Sequence, residues 1–293
     1  MIAKEELKFS IIMVLAMITW GYSWAGAKIL GLYGDISVKI FLRFFFASIA
    51  LIPILLKYRI PFSVSKSGLK FIFINAISLC SYNYFYFRST HMGLAGVGGV
   101  LVTTLNPILT STVVFCFVDK SARFKDLLGL AIGFFGGSII MRFWEMNLNL
   151  MIQSGSLFYI LASFSWVSVA LTSQKSKNHI HFLNYSFWSF VVAAGFSFLF
   201  CNQSSIADII DYDGYFWINI LLLSVLVMSF ANTMYFFASS KIGAVRASSF
   251  IFIVPLTAII FSKILLDEPV RSTTLIGGSL SIIAIYLINK KID

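Results

Sequence analysis

The chain has 293 residues, of which 59% are hydrophobic and only 12% are charged, whereas a soluble domain carries about 25% charged residues. This composition excludes an ordinary soluble fold, because ten apolar spans of about 20 residues each would leave room for little beyond short connections. The net charge of +10 does not indicate a nucleic-acid binder, since the lysines and arginines lie between apolar runs and not on one wet surface.

Ten predominantly apolar runs follow one another along the chain, and each predicts a membrane-spanning helix. The predicted spans are residues 9–30, 38–56, 69–87, 94–118, 127–143, 155–173, 182–201, 215–238, 245–266 and 273–288. The sequence therefore predicts an all-α polytopic membrane protein with ten transmembrane helices.

The basic residues predict the orientation, because Lys and Arg in short loops favour the cytoplasmic side. An internal N-terminus places 15 of the 22 cations on or near the inner face, six outside and Arg43 within the second span. The predicted outer loop 202–214 contains three Asp residues and no cation. We therefore expect an integral membrane protein of a bacterial inner membrane with both termini in the cytoplasm.

The second half of the chain repeats features of the first half at a shift of 146 to 149 residues. The matched pairs are Trp20/Trp166, Asn83/Asn232, Tyr86/Tyr235, Phe87/Phe236, Pro107/Pro255, Asp119/Asp267, Arg123/Arg271 and Gly129/Gly277. Each half contains five predicted spans, so the halves 1–146 and 147–293 are expected to be inverted copies. Inverted repeats are typical of secondary transporters that work by alternating access.

These residues resemble the EamA family of the drug/metabolite transporter (DMT) superfamily. The features that carry the resemblance are Trp20 and Trp166, Arg43-Phe44, Pro107 and Pro255, and Asp267-Glu268-Pro269 after the ninth span. The resemblance implies ten helices, a central cavity and transport of amino acids or other small metabolites, often outward. The first half departs from the family pattern at Asp119-Lys120-Ser121, where Glu-Arg or Glu-Pro is usual.

A small and polar stripe runs along the fourth span, and its members recur at intervals of three and four residues. They are Gly96, Gly99, Thr103, Asn106 and Thr110. Because proline lacks an N–H, Pro107 frees the carbonyl of Thr103 and Pro255 frees that of Ile251. We expect a kink or hinge at both prolines and either a solute path or close helix packing along the stripe.

Three further groups are candidates for binding a solute, and each has a structural alternative. Spans three and eight carry hydroxyls and amides that could bind a solute or join helices, and aromatic residues on spans one and six could form cavity walls or interfacial belts. Arg43 could attract a carboxylate or phosphate, join the two halves, or extend outward to water. The candidate residues, in addition to Thr103 and Asn106, are Trp20, Trp24, Arg43, Asn75, Ser78, Tyr82, Tyr86, Ser163, Trp166, Asn232 and Tyr235.

The expected function is secondary transport of a small polar metabolite, most simply an amino acid or related zwitterion, and the alternative is a membrane sensor or scaffold without transport activity. An enzyme is not expected, and neither is a cofactor or metal, because HExxH and GxSxG are absent and the histidines lie at loops or interfaces. No acid lies securely within a span, so a proton relay has no intramembrane candidate, although an acid at a helix end could couple protons. The expected partners are the solute and the lipid bilayer. A monomer is favoured over a homodimer, since Gly129, Gly133 and Gly137 suit packing within one bundle.

Overall fold

The computed structural model describes residues 2–118, 124–140, 142–145 and 148–289, and these residues form helices and connections without a strand. The described part of each predicted apolar run lies largely in helical structure. The main helices are α1 (Ile2–Leu30), α2 (Ile36–Lys57), α3 (Lys66–Met92), α4 (Ala95–Val113), α5 (Phe124–Ile140), α6 (Ser156–Ser176), α7 (Phe182–Phe198), α8 (Gly214–Ile242), α9 (Ile253–Leu266) and α10 (Ser272–Asn289).

Several helices change their hydrogen-bond pattern or are joined by short helical pieces. A π-helical stretch, Leu223–Asn232, lies inside α8, and another, Val114–Val118, follows α4. The short pieces are Phe143–Glu145, Leu148–Gln153, Gln203–Ala207, Asp208–Asp211, Ala244–Ser248 and Ser249–Phe252. The last two precede α9, so the predicted ninth span begins with a short α-helical piece and a turn of 3₁₀-helix and not with continuous α-helix.

Length and composition allow five of the described helical segments to cross a bilayer by themselves: Lys8–Leu30, Ile36–Lys57, Ala95–Phe117, Ser156–Ser176 and Gly214–Ile242. Shorter apolar helices occur at Ala131–Ile140, Phe182–Phe198, Ile253–Leu266 and Ser272–Ala284. Large apolar side chains such as Phe134, Phe135 and Leu256 are exposed on the outside of the bundle. This surface suits lipid better than water.

Polar side chains at the helix starts fix where several helices begin. The Oδ1 atom of Asp35 accepts from the N–H of Ser37 at α2, and Ser65 Oγ accepts from the N–H of Gly68 at α3. Asp213 Oδ1 accepts from the N–H of Phe216 at α8. Such caps satisfy backbone donors that have no partner within the helix.

Helices α5 and α10 pack closely because glycines bring their backbones together. A Cβ atom on Gly277 of α10 would lie 2.4 Å from the carbonyl oxygen of Gly136 of α5. A Cβ atom on Gly133 of α5 would lie 2.3 Å from Ile108 Cδ1 of α4 and 3.3 Å from Ala284 Cβ of α10. The glycine stripe of the fifth span therefore packs within the bundle, as small residues do between membrane helices.

Most of the large helix contacts keep their pairing when helices α1–α5 exchange roles with α6–α10, although α4 packs on α5 and α10 without comparable contacts of α9. The contact of α3 with α6 corresponds to the contact of α8 with α1. In the same way, the α4–α6 contact corresponds to the α9–α1 contact, and the α2–α8 contact corresponds to the α7–α3 contact. Three further large contacts join equivalent helices, namely α2 with α7, α4 with α9 and α5 with α10. This arrangement brings α1, α3, α6 and α8 together around the middle of the bundle.

Candidate functional site

A small cavity lies where helices α1, α2, α3, α4, α6 and α8 meet, and it offers about 20 Å³ to a water molecule. This space suits about one water and is far below the roughly 300–1,000 Å³ of small-molecule pockets. The cavity as it stands is therefore too small for a small-molecule ligand. The lining residues are Trp20, Ser23, Trp24, Arg43, Tyr82, Tyr86, Thr103, Asn106, Trp166, Val227, Met228 and Asn232.

One wall of the cavity is a cluster of aromatic rings centred on Trp20 and Trp166. These two rings meet edge to face with centroids 5.0 Å apart, and Tyr235 packs behind them at 5.2 Å and 5.3 Å. The indole Nε1 of Trp20 donates to Asn232 Oδ1 at 2.9 Å. Each edge-to-face pair adds about 0.5–1.5 kcal/mol beyond its buried area, so this wall is a defined surface.

A second aromatic layer closes the cavity toward the ends of α1 and α3. The ring of Trp24 lies 4.8 Å from that of Tyr86 and 6.0 Å from that of Tyr159. Two glycines of α4 make room for this layer, because a Cβ on Gly98 would lie 2.3 Å from the Tyr159 ring and one on Gly99 would lie 3.0 Å from Trp24. Part of the small-residue stripe therefore accommodates aromatic rings.

Arg43 is buried in the cavity wall, with only 2% of its surface exposed. Its Nη1 donates to Asn83 Oδ1 at 2.7 Å, and its guanidinium lies 5.3 Å from the ring centroids of both Tyr86 and Phe87. The interpretation that Arg43 extends outward to water is wrong, because an amide and two aromatic faces hold the guanidinium inside the bundle.

The charge of Arg43 is not balanced by a carboxylate of the described residues. The ion pairs between described residues, Arg142–Glu145 and Lys263–Asp267, lie elsewhere, and Arg43 Nε has no hydrogen-bond partner. A charge at the bilayer centre costs about 2.5–3.5 kcal/mol on insertion scales, so intramembrane charges mark functional sites by default. The guanidinium can therefore receive an anionic group that enters the cavity.

Helix α4 supplies hydrogen-bond acceptors to the same cavity. Asn106 Oδ1 is buried without a partner, and the carbonyl of Thr103 lacks the usual N–H because Pro107 follows four residues later. On α6, Trp166 Nε1 is a buried donor without a partner, while its neighbour Tyr235 shares its hydroxyl with Ser248. The cavity thus combines unpaired donors with unpaired acceptors.

The two prolines occupy different local structures. Pro107 lies inside the continuous helix α4, whereas Pro255 lies in the first turn of α9, directly after the 3₁₀ turn Ser249–Phe252. Proline is tolerated near the start of a helix but removes a hydrogen bond in its interior. The hinge role assigned to both remains a prediction.

Four sequence-predicted residues do not line the cavity. Asn75 Nδ2 donates to Ser189 Oγ at 2.9 Å, and the hydroxyls of Ser78 and Ser168 lie 2.8 Å apart, so both side chains join neighbouring helices. The Ser163 hydroxyl donates within its own helix, and Tyr235 supports the tryptophans from behind. Interhelical bonding, the structural alternative, accounts for the contacts of Asn75 and Ser78.

Sequence reasoning missed four residues of the site: Ser23, Asn83, Val227 and Met228. Asn83 was matched to Asn232 in the repeat, and this match could have suggested a role close to the cavity. Val227 gave no signal, because α-helical periodicity does not place it on the face of Asn232. Met228 lies four residues before Asn232 and therefore on the same helical face, but an apolar side chain did not indicate a polar site. The π-helical stretch of α8 brings all three to the wall.

The geometry agrees with comparisons to known proteins. The sequence profile of the EamA-like transporter family matches residues 7–142 and again residues 153–290. Similar proteins are the uncharacterized transporters YoaV of Bacillus subtilis (24% identical, covering 92% of each chain) and YvbV of the same organism (23% identical, covering 98% of this chain and 93% of YvbV). A crystal structure with 15% identity has the same fold, with a TM-score of 0.68 over 96% of this chain and 97% of its own. This chain therefore belongs to the EamA-like transporter family.

Proposed function

We propose that this transporter moves a small zwitterion, most simply an amino acid, by alternating access of the central cavity. The observation that carries the proposal is Arg43, a buried guanidinium without a carboxylate partner among the described residues. A solute carboxylate would form charge-assisted hydrogen bonds with it, which are about twice as strong as neutral ones.

The rest of the cavity suits the other end of such a solute. A solute ammonium would donate to Asn106 Oδ1 and to the Thr103 carbonyl, both of which lack a donor. The faces of Trp20 and Trp24 could also attract a cation. A free cation is a poorer fit, because Arg43 would repel it.

The proposed architecture is ten membrane spans arranged as two inverted repeats, 1–146 and 147–293, with both termini in the cytoplasm of a bacterial cell. Two observations support it: the family profile matches each half separately, and most of the large helix contacts keep their pairing when the halves exchange roles. Because inverted halves can exchange conformations, inward-open and outward-open states can have similar energies.

Counterflow with purified protein in proteoliposomes tests the substrate class. Vesicles loaded with one unlabelled amino acid should accumulate that labelled amino acid, while its decarboxylated amine and its amide should fail because neither carries the carboxylate that Arg43 receives. Accumulation of sugars or quaternary amines alone would disprove the zwitterion proposal. Lack of counterflow for every metabolite would favour a sensor or scaffold.

A further inference from the structure

A second hollow of about 440 Å³ lies at the end of the bundle where α1 and α3 end and α4 and α6 begin. We call it the vestibule and define it by Lys28, Arg142, Glu145, Tyr159 and Arg271, which line it. We propose that the vestibule is a separate, weak binding site for the carboxylate of the solute, occupied before the solute enters the central cavity. This inference rests on the proposed function.

The vestibule has more positive than negative side chains. Lys28 Nζ donates to the carbonyl oxygens of Gly93 at 2.6 Å and His91 at 3.3 Å, which leaves one of its three N–H groups open. Arg271 is exposed, and its side chain makes no hydrogen bond or ion pair with a described residue. Two cations therefore retain donors for an anion.

The nearby acids are already occupied. Glu145 pairs with Arg142. Glu268 lies close enough to influence Lys28, but its two carboxylate oxygens accept from the backbone N–H groups of Ala95 and Gly96 at 2.8 Å and 2.9 Å. An entering carboxylate thus meets cations whose charge is only partly compensated.

One aromatic layer separates the vestibule from the central cavity. Tyr159 lines the vestibule and packs against Trp24, which lines the cavity. The Tyr159 hydroxyl donates to the carbonyl of Leu94 at 2.9 Å, and this bond fixes the ring across the opening. A solute held in the vestibule is therefore separated from the site that contains Arg43 by one aromatic layer, Tyr159 and Trp24.

The size and exposure of the vestibule suit a staging site. Its volume falls within the range of about 300–1,000 Å³ found for small-molecule pockets. Because Arg142 and Arg271 are open to solvent, a carboxylate would bind there weakly and in a salt-dependent manner. The positive charge of the vestibule would raise the local concentration of an anionic group and the rate at which the solute enters.

Transport kinetics measured separately from each side of oriented proteoliposomes test the site. We expect Arg271→Gln to raise the KM about two- to fivefold for zwitterion entering from the vestibule side, with kcat unchanged, and to leave the KM from the other side unaltered. Arg271→Lys should restore most of the lost affinity because the charge returns. Glu145→Gln should lower the KM from the same side, since it releases Arg142.

The matched control is Lys66→Gln, which removes an exposed cation at the opposite end of α3. An unchanged KM in Arg271→Gln, an equal change from both sides, or failure of Arg271→Lys to restore affinity would overturn the vestibule site. These results would leave the proposed function intact. The proposed function itself would be disproved if the unmutated protein showed no zwitterion counterflow.

Discussion

The two halves of the central site contain the same residue types but join them differently. In one half-site, Trp20 donates to Asn232. The repeat places Trp166 and Asn83 at the corresponding positions, yet Asn83 Oδ1 accepts from Arg43 and the indole N–H of Trp166 has no partner.

A single charged residue explains this difference. Shifting Arg43 by the repeat length reaches residues 189–192, whose sequence Ser-Phe-Val-Val contains no base. Residue types repeated in both halves of the chain line the cavity, while Arg43, which has no basic counterpart in the second half, supplies its charge. If Arg43 binds the solute as proposed, the chemistry of recognition lies in one half of the chain only.

Removing the charge of Arg43 is expected to have the largest effect on transport. Arg43→Gln should lower kcat/KM for zwitterion counterflow about 10- to 100-fold, because a charge-assisted hydrogen bond contributes about 1.5–3 kcal/mol. The exposed Arg88 on α3 provides the matched control, Arg88→Gln, which should transport normally. Equal rates in the two variants would show that Arg43 does not bind the solute.

Replacing Asn83, the hydrogen-bond partner of Arg43, should have the next largest effect. Asn83→Asp places a carboxylate beside Arg43, where it would remain ionised and compete with the solute, and we expect the KM to rise about tenfold, as for loss of one charge-assisted hydrogen bond. Asn232→Asp, at the equivalent position, places a carboxylate beside the Trp20 indole and not beside a guanidinium. This carboxylate should therefore not pair with Arg43. Competition is disproved if both substitutions raise the KM equally.

The two tryptophans should separate stability from transport. Trp20→Phe leaves the buried Asn232 oxygen without its donor and should lower the free energy of unfolding by about 1–3 kcal/mol. Trp166→Phe removes a donor that has no protein partner, so the thermal midpoint in detergent should change less while counterflow falls. The reverse order of thermal midpoints would contradict the hydrogen-bond assignment.

Asn106→Ala should likewise reduce counterflow without reducing expression, because its oxygen has no partner to lose. Unchanged flux in both Asn106→Ala and Trp166→Phe would assign these residues to packing alone.

The smallest expected effect is a pH dependence of stability at one helix cap. Ser65 of α3 and Asp213 of α8 cap their helices at equivalent positions of the repeat. The N–H of Phe216, and then the Tyr33 hydroxyl at 2.8 Å, lower the pKa of Asp213 below its ordinary 3.8. Its contribution to stability is therefore present above about pH 4 and is lost as pH falls through the lowered pKa. Thermal unfolding of Asp213→Ser should lose this pH dependence, and retention of the full dependence would assign it to other acids.

Much of the fold was predictable because apolar runs of membrane length are a local signal. The repeat also indicated that Trp20 and Trp166 share one site. The partner of Arg43 was not predictable, since Asn83 lies 40 residues away and on another helix. Asn75 and Ser78 show the converse problem, because helical spacing identifies a polar face without telling whether another helix or a cavity lies opposite.

The π-helical stretch in α8 gives the cavity wall a property that a regular helix would lack. Hydrogen bonds from residue i to i+5 widen the coil, so Val227 and Asn232, five residues apart, can both reach the wall. In an α-helix the same separation turns a side chain by about 140°. If the wide turn tightened, Asn232 would rotate away from Trp20, and one end of α8 would twist relative to the other without unfolding.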